Sequence, residues 1–80
     1  MHAYELRIRG LDDERARTAA RWELFAFPDV RDLVRGAGKD RFLVLYEGRW
    51  EHPAVWCHVL ANAGYDAEPI GRIEETQPVS

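Results

Sequence analysis

Tyr4-Glu5-Leu6-Arg7-Ile8-Arg9-Gly10-Leu11-Asp12-Asp13-Glu14 changes its period part-way, and that change decides how the rest of the chain must be arranged. From Tyr4 to Arg9 apolar and charged side chains alternate, the period of two of a half-buried strand. Tyr4, Leu6 and Ile8 then face a core, while Arg7 and Arg9 face away. Gly10-Leu11 breaks the alternation. Asp12, Asp13 and Glu14 carry the chemistry of a helix start: an aspartate that accepts a free backbone N–H, and negative charge over the positive end of the helix dipole.

The helix that begins there is predicted to run to about Phe27, where Pro28-Asp29 stops it. At about 100° per residue, Ala16, Ala20, Leu24 and Phe27 form one apolar stripe, the core face. Trp22 and Phe25 fall on the opposite side, beside Thr18 and Ala26. Val30 to Arg35 reads as a second strand, weakened by charges that interrupt its alternation. Gly36-Ala37-Gly38-Lys39-Asp40 is turn chemistry, joining it as a hairpin to Phe42-Leu43-Val44-Leu45-Tyr46. That third strand is apolar on both faces and is expected to be central. A second helix starts at Pro53 and ends before Gly64, with Val55, Trp56, Val59, Leu60 and Ala63 in one arc opposite His58 and Asn62. Tyr65 to about Ile73 supplies the last strand, and its Pro69 and Gly71 suit an edge. Residues 74–80 read as a polar tail after a single domain spanning 1–73.

Helices placed between strands in this order make an α+β domain of the ferredoxin-like βαββαβ type. The expectation is a four-stranded antiparallel sheet with both helices on one face. Its other face would show Glu5, Arg7, Arg9, Arg41, Leu43 and Leu45, with arginine stems lying over the leucines.

Composition narrows the function. With 14 acidic and 11 basic residues, ten of the latter arginine and the signs interspersed, the chain lacks the charge excess of a nucleic-acid binder. No apolar run reaches the roughly 18 residues of a membrane span. The N-terminal MHAYELRIRG lacks the apolar stretch of a secretory leader, so the cytoplasm is the expected compartment. The single cysteine, Cys57, allows no internal disulfide and no CxxC pair.

The order of elements and several junctions resemble heavy-metal-associated domains, the modules of copper chaperones and of the N-terminal arms of metal-pumping ATPases. In that family the first strand ends in Gly-Met-x-Cys-x-x-Cys, and its two thiolates grip a soft ion such as Cu(I). Tyr4 to Leu11 looks like that strand and turn, with Leu11 at the Met position. Pro28-Asp29-Val30 is similar to the family's Pro-Gly-Val, and Asn62-Ala63-Gly64-Tyr65-Asp66-Ala67-Glu68 to its junction between second helix and last strand. The resemblance covers Tyr4 to Ile70 and implies the same fold. Counted from Gly10, the two cysteine positions hold Asp13 and Ala16. A carboxylate and a methyl group cannot replace a soft thiolate pair, so no metal and no cofactor is expected.

Other constellations are thinner. His52, Cys57 and His58 do not share a helix face, and no orienting group makes Cys57 a nucleophile; no catalytic residue is nominated. Gly36-Ala37-Gly38-Lys39-Asp40 lacks the Ser/Thr and the following helix of a phosphate loop. RNA-recognition motifs share this order of elements, and Arg41 to Tyr46 resembles their third strand. With Phe42 and Tyr46 turned to the helices, however, the sheet offers arginine and leucine rather than stacking aromatics. Trp22 and Phe25, three residues apart on one helix, remain as an aromatic pair suited to a protein partner or a homodimer. The resulting expectation is a non-catalytic binding module, acting through Trp22 and Phe25 or through the sheet face at Arg7, Arg9, Arg41 and Leu43. Single-stranded RNA on the sheet, or metal handling at an unusual site through Asp13 or Cys57, are the alternatives.

Overall fold

Alternation along the first strand becomes burial: Leu6 and Ile8 are closed off from solvent, Glu5 and Arg7 are half-buried, and Arg9 is exposed. A computed structural model of the chain describes residues 1–11, 13–48 and 51–73. Its elements run β1 (His2–Arg9), α1 (Glu14–Leu24), β2 (Val30–Arg35), β3 (Arg41–Tyr46), α2 (Pro53–Asn62) and β4 (Asp66–Ile73). The sheet order is β2-β3-β1-β4 with every pair antiparallel, so the domain is a ferredoxin-like βαββαβ fold. Both helices bury their apolar residues in one cluster with the same face of the sheet: Ala20 and Leu24 from α1, Trp56, Cys57 and Leu60 from α2. Asp12 and residues 74–80, where the sequence reads as a polar tail, lie outside the described residues.

β3 sits in the interior of the sheet, as its two-sided apolarity requires, with Phe42, Val44 and Tyr46 buried and Arg41, Leu43 and Leu45 half-buried. The β2–β3 turn is closed by the Gly36 N–H donating to the Arg41 carbonyl at 2.8 Å. A Cβ on Gly36 would stand 3.1 Å from the Arg41 backbone, so close chain approach accounts for this glycine without a phosphate. Gly10 has φ of 92°, the left-handed turn that separates β1 from α1.

The two helices depart from their sequence reading in different ways. α1 ends at Leu24 rather than Phe27, because the chain tightens: the N–H groups of Phe25, Ala26 and Phe27 donate to the carbonyls of Trp22, Glu23 and Leu24. Beyond Leu24 the 100° wheel no longer applies. Phe25 therefore packs against the core margin instead of standing opposite it, and Phe27 is partly buried beside it. α2 is rolled relative to expectation. Its buried residues are Trp56, Cys57 and Leu60, while Val55 is 46% exposed and Ala63 is exposed. The roll follows the largest side chain. Trp56, 1% exposed, lies against Tyr46 at 5.2 Å between ring centroids and meets Tyr4 edge-on at 6.0 Å, which carries Cys57 inward and Val55 outward.

Candidate functional site

The turn after β1 is where the resemblance places a metal loop. Asp13 is there the N-cap of α1: in an extended conformation, it accepts the Ala16 N–H on Oδ1 at 2.7 Å. The two positions at cysteine spacing from Gly10 are thus joined to each other by a capping bond. Glu14 is engaged as well, in a close ion pair with Arg17 that holds its carboxyl below the usual carboxylate range. Tyr65, at the α2–β4 junction, donates through its hydroxyl to the Ala16 carbonyl at 3.4 Å and ties the start of α1 to the far helix. Among the described residues no three His, Cys, Asp or Glu side chains converge on a point that could hold a metal ion. Cys57 is buried, and burial first, then the neighbouring Glu68 charge, pushes its thiol above the ordinary value of 9.0. It is a protonated core side chain at neutral pH, without thiolate character. His52 and His58 are exposed on α2 and its approach.

The aromatic pair on α1 is asymmetric. Trp22 is 67% exposed; Phe25 is its seat. The two rings meet edge-to-face, with centroids 5.5 Å apart and planes at 89°. The Arg21 guanidinium lies 5.2 Å from the Phe25 centroid, and its Nε is 3.4 Å from Asp32 Oδ1 on β2. A large ring is therefore presented to solvent on a support fixed by a cation and a strand.

The same helix closes an edge of the sheet through its arginines, which the sequence reading did not anticipate. Arg17 Nη1 donates to the Leu33 carbonyl at 3.0 Å, and the Leu33 N–H donates to Asp32 Oδ1 at 2.8 Å. Both backbone groups of Leu33 are thus met by side chains, so β2 offers less to an added strand. The available signal was the charge that interrupts the alternation of β2, Asp32, together with Arg17 and Arg21 spaced one turn apart on α1. The other edge strand, β4, carries Pro69 and a register shift beside it.

On the open face the arginines named from sequence do come together, each beside an acid. Arg7 pairs with Glu68 at 3.9 Å, Arg9 with Asp66 at 3.5 Å and Arg41 with Glu5 at 3.5 Å. Arg7 and Arg41 face each other across β1 and β3, and Glu5 faces Leu43. Phe42 and Tyr46 are buried against the helices, so the face has neither a stacking platform nor an uncompensated positive field, and RNA binding is not favoured.

The chain matches no protein-family model and no curated protein. Solved structures do resemble it. The N-terminal domain of ZntA in its Zn(II) form has a TM-score of 0.75 at 15% identity, over 91% of this chain and 97% of that one. The N-terminal domain of a potential copper-translocating P-type ATPase from Bacillus subtilis, Cu(I)-loaded, has a TM-score of 0.73 at 13% identity, over 95% of each chain. A chain of the Atx1–Cu(I)–Ccc2a complex has a TM-score of 0.67 at 14% identity, over 88% of this chain and 96% of that one. The fold is that of the metal-binding domains of copper chaperones and P-type ATPases, and at these identities the likeness concerns the fold alone. No helix among the described residues is long and apolar enough to cross a membrane.

Proposed function

We propose that this chain is a non-catalytic, cytoplasmic interaction domain on a heavy-metal-associated-like scaffold whose ion loop has become an ordinary helix start. Trp22, seated on Phe25, is its contact with a protein partner, and the open sheet face at Arg7, Arg9, Arg41 and Leu43 is a second contact surface. The observation that carries the reading is the exposed Trp22 ring on its fixed support. A tryptophan held in one orientation loses little freedom on docking, and large aromatics dominate interface cores. The capped Asp13 and engaged Glu14 support the metal-free part, since neither carboxylate is an idle donor waiting for an ion. The likeness to a chain of the Atx1–Cu(I)–Ccc2a complex supports a protein partner for this fold.

The metal-free part is tested by dialysis against Cu(I) and Zn(II). The wild-type chain should retain neither, whereas the double variant D13C/A16C, which restores a thiolate pair after Gly10, should retain Cu(I). Stoichiometric retention by the wild type would end that half of the reading. For the partner surface, cross-linking from position 18, an exposed site one turn before Trp22 on α1, in extract should give a saturable adduct. It should vanish on Trp22→Ala while stability changes by no more than about 0.5 kcal/mol. A partner captured equally by Trp22→Ala would place the contact elsewhere.

A further inference from the structure

The outward side of α1 carries charges that its own chain leaves unanswered. Arg15, Thr18, Ala19, Trp22 and Glu23 are exposed along this helix. Arg15 and Trp22, seven residues apart, stand within about 20° of each other around the axis, with Thr18 and Ala19 at the levels between them. Among the described residues every other arginine has an acid, an aromatic ring or a histidine beside it, whereas Arg15 has none and Glu23 has no cation. Arg17 and Arg21, on the flank toward β2, are committed to Glu14 and Asp32. The outward side therefore offers a free cation near the start of the helix and a free carboxylate near its end, with the Trp22 ring beside the latter. Turned end over end, that arrangement complements itself.

We propose that a second copy of this chain packs its α1 antiparallel against this one, across a two-fold axis between the levels of Thr18 and Ala19. The inference rests on reading Trp22 as a protein contact and names its partner. Positions 15 and 22 lie equally far from that axis, so Arg15 of each copy meets the Trp22 ring of the other, and Glu23 stands one residue further on. Each Arg15 then gains the face of a ring and an opposite charge. Glu14 and Glu23, nine residues apart, are on opposite flanks of the helix, and the two-fold keeps like flanks together, so these carboxylates do not meet. Thr18 and Ala19 are small enough for the helices to approach to about 8 Å. No ion pair within the chain has to be broken, because Arg15 and Glu23 have none among the described residues, and Trp22 keeps its seat on Phe25. A helix of 11 residues is about 16 Å long, and a strip about 15 Å wide along it gives about 250 Å² per copy, so the dimer is weak and rapidly exchanging.

Sedimentation equilibrium from about 10 µM to about 1 mM reads the result, with a Kd of about 300 µM expected. Trp22→Ala should weaken the dimer at least about tenfold, while Leu43→Glu on the open sheet face leaves it unchanged. Arg15→Glu and Glu23→Arg, at exposed positions where either change also suits the helix dipole, should each give monomers. Mixing the two should restore a heterodimer, because both contacts are then opposite in sign. A monomer throughout the range, a dimer indifferent to Trp22→Ala, or no heterodimer on mixing overturns the proposal. A monomer that still gives a Trp22-dependent adduct with a protein of different mass in extract overturns self-association alone and leaves Trp22 as a contact for that protein. A monomer without such an adduct ends both readings.

Discussion

Phe42 and Leu43 are neighbours on β3, yet Phe42 is 1% exposed beneath the helices and Leu43 is half-buried on the bare side. The two faces of this sheet are held by different physics. On the covered face the buried side chains among the described residues are hydrophobic throughout, and each is fixed by the volume of its neighbours. On the open face, apart from a short apolar band, the contacts are ion pairs at 3.5 to 3.9 Å between side chains that water reaches. Stability thus resides on one side, and the freedom to change partners resides on the other. A change to the ion pairs of the open face should therefore leave the fold as it is.

The sharpest way to break this contrast is to truncate one large side chain on each face. Trp56→Ala should cost about 3–5 kcal/mol in urea denaturation, because it empties the space between Tyr46, Tyr4 and α2. Leu43→Ala should cost no more than about 1 kcal/mol, since its methyl groups are already partly wet. Trp56→Phe should sit between, since a ring is kept and an indole N–H without a partner among the described residues is removed. Equal losses for Trp56→Ala and Leu43→Ala would mean that the bare face is covered in the native molecule.

Much of this contrast was legible in the sequence. The alternation of Tyr4 to Arg9 and the two-sided apolarity of Phe42 to Tyr46 fix which residues enter the core, because a strand has only two faces. A helix has a continuous rim, and spacing alone leaves its roll open. Nothing in the spacing of Val55, Trp56, Cys57 and Leu60 reveals that the Trp56 ring sets the roll and exposes Val55. A helical wheel misplaces Phe25 because it assumes regular turns, and the chain tightens just before Pro28. Of the candidate surfaces, the residues were visible and their pairing was not. Arg7, Arg9 and Arg41 are evident in the sequence, but their acids come from β4 and β1, across a register that a bulge beside Pro69 shifts.

The covered face also sets the pH at which the fold begins to give way. Burial raises the thiol of Cys57 above 9.0 and the phenols of Tyr4 and Tyr46 above 10.0, with a hydrogen bond from Tyr46 to Glu51 adding to the last. The folded chain keeps these protons where the unfolded chain has lost them, so their contribution is complete below about pH 9 and declines as pH rises further. Urea midpoints should be flat from about pH 7 to about pH 9 and fall above it, with Cys57→Ala removing the earliest part of the decline. A midpoint that rises through this range would contradict the burial of all three groups.

The smallest effect is the one on which the open face depends. A double-mutant cycle on Arg41 and Glu5, 3.5 Å apart, should give a coupling of about 0.2–1 kcal/mol at low ionic strength, falling toward zero in about 1 M salt. A small value means that Arg41 can leave Glu5 at almost no cost to the fold and turn to a carboxylate on another surface. A coupling of about 3 kcal/mol, insensitive to salt, would place the pair in a desolvated setting such as a buried bridge occupies. The arginines would then be structural, and the open face would be tied to the fold as firmly as the covered one.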